Sequence, residues 1–213
     1  MRKQLILTTM ALALLVTGSF AQSETATREK LMLGFKLGLN LSNVYDEQGE
    51  NFDADAKFGM AVGAFVAIPI GKYLGVQPEL LFSQKGFQAT GSLLGTNYSF
   101  TRTTNFIDVP IFLAIKPTEV LTLLVGPQYS YLIKQTDAFA SGNNTTEQVK
   151  EFENDNIRKN ILSFALGADI NLNHLVLGGR ACWDVQTNNG DGTSSTPRYK
   201  NVWYQATIGY RFF

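Results

Sequence analysis

Nine charged residues fall on the less apolar side of alternating stretches of this sequence: Lys36, Glu79, Lys85, Asp108, Lys116, Asp169, Arg180, Asp184 and Arg211. Four are acids and five are bases, so they can pair, and pairing is what makes burial of a charge tolerable. Glu79, Lys85, Asp108, Arg180 and Arg211 could together form a plug of ion pairs. Other chemistry has little to start from. The one histidine, His174, lies in a short turn with no Ser-x-Gly elbow or acidic partner nearby, and reads as a solvated turn residue. The one cysteine, Cys182, sits mid-segment, where a small buried side chain is expected and no internal disulfide is possible. The acidic run YDEQGENFDAD offers Asp46, Glu47, Glu50, Asp53 and Asp55. It lacks the spaced ligands of a calcium loop and reads as an exposed, solvated loop. The expectation is no catalytic residue, no metal and no cofactor.

The elements that must position these charges show themselves by period-two alternation, the mark of a strand with two different faces. Eight segments carry it: 33–42, 57–70, 74–85, 106–116, 120–133, 161–172, 175–186 and 201–213. The first sets Leu33, Phe35, Leu37, Leu39 and Leu41 against Gly34, Lys36, Gly38, Asn40 and Ser42. The last sets Val202, Tyr204, Ala206, Ile208, Tyr210 and Phe212 against Gln205, Thr207, Gly209 and Arg211. Each is at least as long as the roughly 9–11 residues that a tilted strand needs to cross a bilayer.

The connections alternate too. Long links at 43–56, 86–105, 134–160 and 187–200 are separated by short turns at 71–73, 117–119 and 171–174. In an up-and-down meander every long link then falls on one rim, the layout of outer-membrane barrels. The run GNNTTEQVKEFENDN in the third long link suggests a short helix capped by Thr145 or Thr146.

Which face is wet decides the solvent. The polar faces are rich in Gly, Ser, Thr and Gln and poor in Lys and Glu, which suits the cramped lumen of an eight-stranded barrel better than a water-soluble surface. The predicted fold is all-β, an eight-stranded antiparallel up-and-down transmembrane barrel whose closure satisfies every backbone group in lipid. Tyr73, Tyr131, Trp183, Trp203, Tyr204, Tyr210 and Phe212 are assigned to interfacial girdles. Pro69, Pro78, Pro110 and Pro127 each remove a ladder donor, and bulges are expected there.

The front of the chain reads MRKQLILTTMALALLVTGSFAQS, with basic, apolar and small-residue regions in the order of a secretory signal peptide. The expected divisions are a signal peptide over 1–21, a short periplasmic segment over 22–32 and the barrel over 33–213. The whole chain balances 18 Lys and Arg against 18 Asp and Glu, and losing Arg2 and Lys3 tips it slightly acidic. No basic surface for nucleic acid is implied.

The stretches GVQPELLFSQKG, FIDVPIFLAIKP, LLVGPQYSYLI and the ending IGYRFF resemble the PorT-type small outer-membrane β-barrel proteins of Bacteroidota, nearly throughout the mature chain and in the same order. The resemblance implies an outer-membrane location and no catalytic residues. It implies a terminal signal, Tyr210, Phe212 and Phe213, read by the barrel-assembly machinery. The PorT branch is associated with protein secretion and gliding. Expected partners are outer-membrane lipid, the assembly machinery and an unidentified surface or secretion component, with a monomeric barrel whose external loops or rim make the contact. Two other readings stay open: an outer-membrane-embedded lipid-modifying enzyme, and a soluble periplasmic barrel carrying a lipid-like ligand with the faces inverted.

Overall fold

In the computed structural model, residues 29–46, 54–93, 96–141, 144–150, 158–188 and 199–212 are described. The signal segment, most of the acidic run and Phe213 lie outside them. Every element is a strand: β1 (Met32–Asp46), β2 (Asp55–Pro69), β3 (Leu74–Leu93), β4 (Thr96–Ile115), β5 (Leu121–Ser141), β6 (Asn144–Lys150), β7 (Asn160–Leu172), β8 (Leu175–Asp184) and β9 (Tyr199–Arg211). Their order is β4-β3-β2-β1-β9-β8-β7-β5-β6, and β4 also pairs with β5. That extra pairing closes an eight-stranded antiparallel ring and leaves β6 outside it. The closing seam is long, running from Gly34 opposite Arg211 to Asp46 opposite Tyr199.

The alternation sorts side chains between two solvents. Phe35, Leu39, Phe58, Leu80, Tyr204 and Ile208 stand on the outside, each at least half exposed. Lys36, Asn40, Glu79, Ser83, Lys85 and Asp108 point inward and are buried. An apolar exterior around a polar interior is stable only where lipid replaces water outside.

Three expectations about the strands change. The prolines do not sit at bulges. Phe65 pairs with Glu79 and Ile68 with Val76 in one unbroken register, so the ladder only skips the pairs at Pro78. The same holds where β3–β4 skips from Pro78–Ile111 to Leu81–Asp108, and where β4–β5 skips from Pro110–Gln128 to Leu113–Val125. A missing N–H removes a bond without adding a residue. Register shifts occur instead between Ala56 and Ala61 in β2–β3, and between Asn105 and Phe106 in β4–β5, at the ends away from the short turns.

The first shift is repaired from across a strand. Ser42 of β1 donates to the Gly86 carbonyl (2.8 Å) and accepts from its N–H (2.9 Å), and Asn40 donates to the Gln84 carbonyl (2.9 Å). The Asn40 side chain passes over its ladder partner Gly59, where a Cβ would lie 2.1 Å from that Gln84 oxygen.

Two links read as loops are largely strand. β3 and β4 continue through 86–105 as one hairpin, with Leu93 opposite Thr96. In place of a helix, the third link holds β6, which pairs back on β5 from Ser141–Asn144 to Gln135–Lys150. Beyond Gln88, the last residue of β3 paired to β2, the β3–β4–β5–β6 side rises as a sheet by roughly 15 Å of strand.

Candidate functional site: the charged lumen and its outer rim

Lumenal charges gather in layers. At the centre of the lower layer, Glu79 takes two hydrogen bonds from Arg180 (both 2.7 Å), one from Lys36 (3.0 Å) and one from Gln77 (2.8 Å). Lys36 reaches on to Asp169 at 2.8 Å. Two cations and two anions thus form a neutral, almost fully buried group, which is how such charges avoid the cost of unpaired burial. Lys36 lies over the Phe65 ring at 4.8 Å and Arg180 over Phe112 at 4.7 Å.

A second layer holds Lys85 against Asp108 at 3.0 Å and Ser130 at 3.4 Å. The Lys85 ammonium stands 3.8 Å from the centroid of Trp203 and 4.6 Å from that of Phe106. Trp203 is 1 % exposed and belongs to the lumen, not to a lipid girdle. Its position shares the inward parity of Asn201, Gln205 and Thr207, and the aromatic belt to which it was assigned needs the other parity. Asp184 is held by the Ser163 hydroxyl (2.7 Å) and by the N–H and amide of Asn201. Cys182 is buried against the same interior.

Lys116 and Arg211 stand apart from these layers, at the mouth beside the short turns. Together with Glu119, Asp169 and Asn171 they line a cavity of about 30 Å³. Arg211 donates to the Asn171 amide oxygen (3.3 Å) and to the Asn173 carbonyl. His174, in the adjoining turn, donates from Nδ1 to the Arg211 carbonyl (3.0 Å) and stacks on Tyr210 at 5.5 Å. On the outer wall Tyr210 and Phe35 both pack edge-on against Phe212, at 5.5 and 5.2 Å.

The opposite mouth is closed by a pair that the alternation reading missed. Arg102 grips Asp137 through Nε (2.7 Å) and Nη2 (2.8 Å), and its third nitrogen donates to the Tyr199 hydroxyl (2.8 Å). Burial alone would lower the Arg102 pKa. The bonds and charges of Asp137 and Tyr199 outweigh it and hold the guanidinium above its ordinary value. Burial pushes the Tyr199 hydroxyl up, so it stays a neutral donor and acceptor.

With Trp203, Phe112, Phe106, Phe65 and the paired charges inside, the lumen is filled by side chains, as expected for eight strands. Among the described residues no group of three or more His, Cys, Asp or Glu could hold a metal ion.

Comparison with known proteins agrees with this architecture. Residues 20–185 match the family described as outer membrane protein beta-barrel domain. No curated protein matches the chain. Among solved structures, Ail, the attachment invasion locus protein of Yersinia pestis, in complex with the heparin analogue sucrose octasulfate, is 15 % identical. The match covers 85 % of this chain and 99 % of Ail, with a TM-score of 0.50. Neisserial surface protein A is 8 % identical over 85 % of this chain and 99 % of its own, at a TM-score of 0.45. The N-terminal barrel of Pseudomonas aeruginosa OprF is 6 % identical over 84 % and 96 %, at 0.40. At 15 % identity the likeness to Ail is one of fold.

Proposed function

The chain belongs to the outer membrane protein beta-barrel domain family, and from that premise we propose that it works as a plugged interaction barrel, anchored in the outer membrane and meeting its partner with the sheet raised on its outer rim. One observation carries the reading: the chain fills its lumen with paired charges and aromatic rings, yet extends β3, β4 and β5 to 20, 20 and 21 residues. A pore would need the first feature otherwise, and a minimal anchor would not need the second.

The finer points belong to the same proposal. The chain is of the PorT type, is exported by a cleaved signal over 1–21, and is assembled through its terminal strand with Tyr210, Phe212 and Phe213. It contacts a surface or secretion component and catalyses no reaction. Of the nine charges, the seven held in the lumenal layers serve the plug.

Two measurements test it. Single-channel recording of the purified protein in planar bilayers is expected to show no steady large conductance, and finding one in the wild type sinks the plug. Chemical cross-linking on intact cells should capture a partner through the β3–β4 hairpin. Capture that survives removal of the hairpin would move the contact elsewhere.

A further inference from the structure

We propose that a groove on the outer wall seats one phospholipid with a primary-amine headgroup, in the leaflet beside the short turns. The proposal uses neither the plug nor the outer partner. The groove holds about 420 Å³ and is walled by Phe35, Leu80 and Phe212. It begins at the strand ends, where the Phe212 N–H bonds the Leu33 carbonyl (2.8 Å) beside the Gly34–Arg211 pair. That is headgroup depth, on the rim that barrels of this layout turn to the periplasm. From there it climbs past the Leu33–Val66 pair to Phe35–Ala64 and on to Leu80. Phe35 and Leu80 both stand more than half exposed to lipid, and the path between them suits an acyl chain.

The floor of the groove carries two backbone carbonyls with no ladder donor. Pro78 pairs with Ile111 on its β4 side, so its missing N–H falls on the β2 side, opposite Val66. Pro110 pairs with Gln128 on its β5 side, so its missing N–H falls opposite Glu79. Val66, Pro78 and Glu79 all line the groove. The Glu79 side chain is held in the lumen by Arg180, Lys36 and Gln77, so only its backbone faces outward. Hydrocarbon offers nothing to complete such a carbonyl, so an occupant that brings an N–H gains there what other lipids do not. Acceptors on neighbouring strands ask for several donors at one point. A primary ammonium supplies three, and a quaternary one supplies none. A third carbonyl of this kind, that of Ile111 opposite Pro127, lies off the groove and serves as a control.

Native mass spectrometry of the full chain released from detergent micelles tests this. Dioleoyl phosphatidylethanolamine, phosphatidylglycerol and phosphatidylcholine are offered in equal amounts. One phosphatidylethanolamine should be retained, about tenfold or more over the choline lipid, as charge-assisted hydrogen bonds imply. Pro78→Ala/Pro110→Ala returns both N–H groups to the ladder and should erase that preference. Pro127→Ala returns an N–H away from the groove and should keep it. If the double variant does not fold, Ala64→Trp, at an exposed position on the groove, must still expel the lipid. Equal retention of all three lipids means adventitious lipid only and overturns the proposal. As much phosphatidylglycerol as phosphatidylethanolamine assigns a hydroxyl donor and overturns the amine. A preference that survives the double variant or Ala64→Trp, or that disappears in Pro127→Ala, overturns the site itself.

Discussion

At the scale of single residues, the lumen holds charges that the bilayer outside would not accept, and each is tolerable only through its partners. The Lys85–Asp108 pair shows this, with both side chains 1 % exposed and the ammonium also against Trp203. Removing one partner of a buried pair strands the other, at a cost of about 3–5 kcal/mol. Lys85→Met and Asp108→Leu should each lose about that much in guanidinium unfolding from lipid vesicles, while the double variant loses far less than their sum. An additive double variant would mean that the pair is not coupled. Ser42 has a smaller duty, closing both the N–H and the carbonyl of Gly86. Ser42→Ala leaves those two buried backbone groups open and should cost about 1–3 kcal/mol in the same measurement. A value near zero would show that water reaches the Ala56/Ala61 irregularity. Most of the nine charges were legible because parity puts them on one face. Arg102 shares that parity with Thr104, Phe106 and Asp108. Asp137 was hidden, because the register shift at Asn105/Phe106 makes Ile133 an extra residue and flips the faces beyond it.

At the scale of strands, the barrel is narrow enough that glycine placement becomes a packing statement. Gly63 faces inward, and a Cβ there would lie 2.0 Å from the Leu80 carbonyl oxygen and 2.7 Å from the Leu81 Cα, both backbone atoms that cannot step aside. Gly179 faces outward, and a Cβ there meets nothing within 4 Å. Gly63→Ala should therefore destabilise by about 1–3 kcal/mol as an overpacked site, and Gly179→Ala should change stability by less than about 0.5 kcal/mol. Equal effects would mean that the β2–β3 wall is loose. The eight strands were legible because each has one face against lipid and one against the lumen, so composition alternates at every step. β6 was not, since NTTEQVK carries no apolar alternation to announce a strand. It is specified by its neighbour, pairing with β5 along its whole length. The prolines misled for a related reason: a missing donor resembles a bulge in sequence, and only register tells a skipped pair from an inserted residue.

At the scale of the whole molecule, the ring and the raised sheet are separable by their hydrogen bonds. Below Gln88 the β3 ladder is shared with β2 on one side and β4 on the other, and the ring closes through β4–β5 and β1–β9. Above it, β3 pairs only with β4, and the upper part of β4 pairs with β5 from Thr101–Ala138 to Tyr98–Ser141. The upper hairpin adds height without closing anything, so the membrane-spanning ring should fold without it. Replacing Gln88–Thr101 by a two-residue Asn-Gly turn keeps Phe87 opposite Arg102, the layer that seals the outer mouth, and supplies a type I′ hairpin link. The shortened protein is expected in the outer-membrane fraction and should still run faster unboiled than boiled in SDS, as a closed barrel does. It should lose capture of the partner. If the short form instead runs as a single band, the raised sheet is needed to close the ring, and its length would answer to folding as much as to recognition.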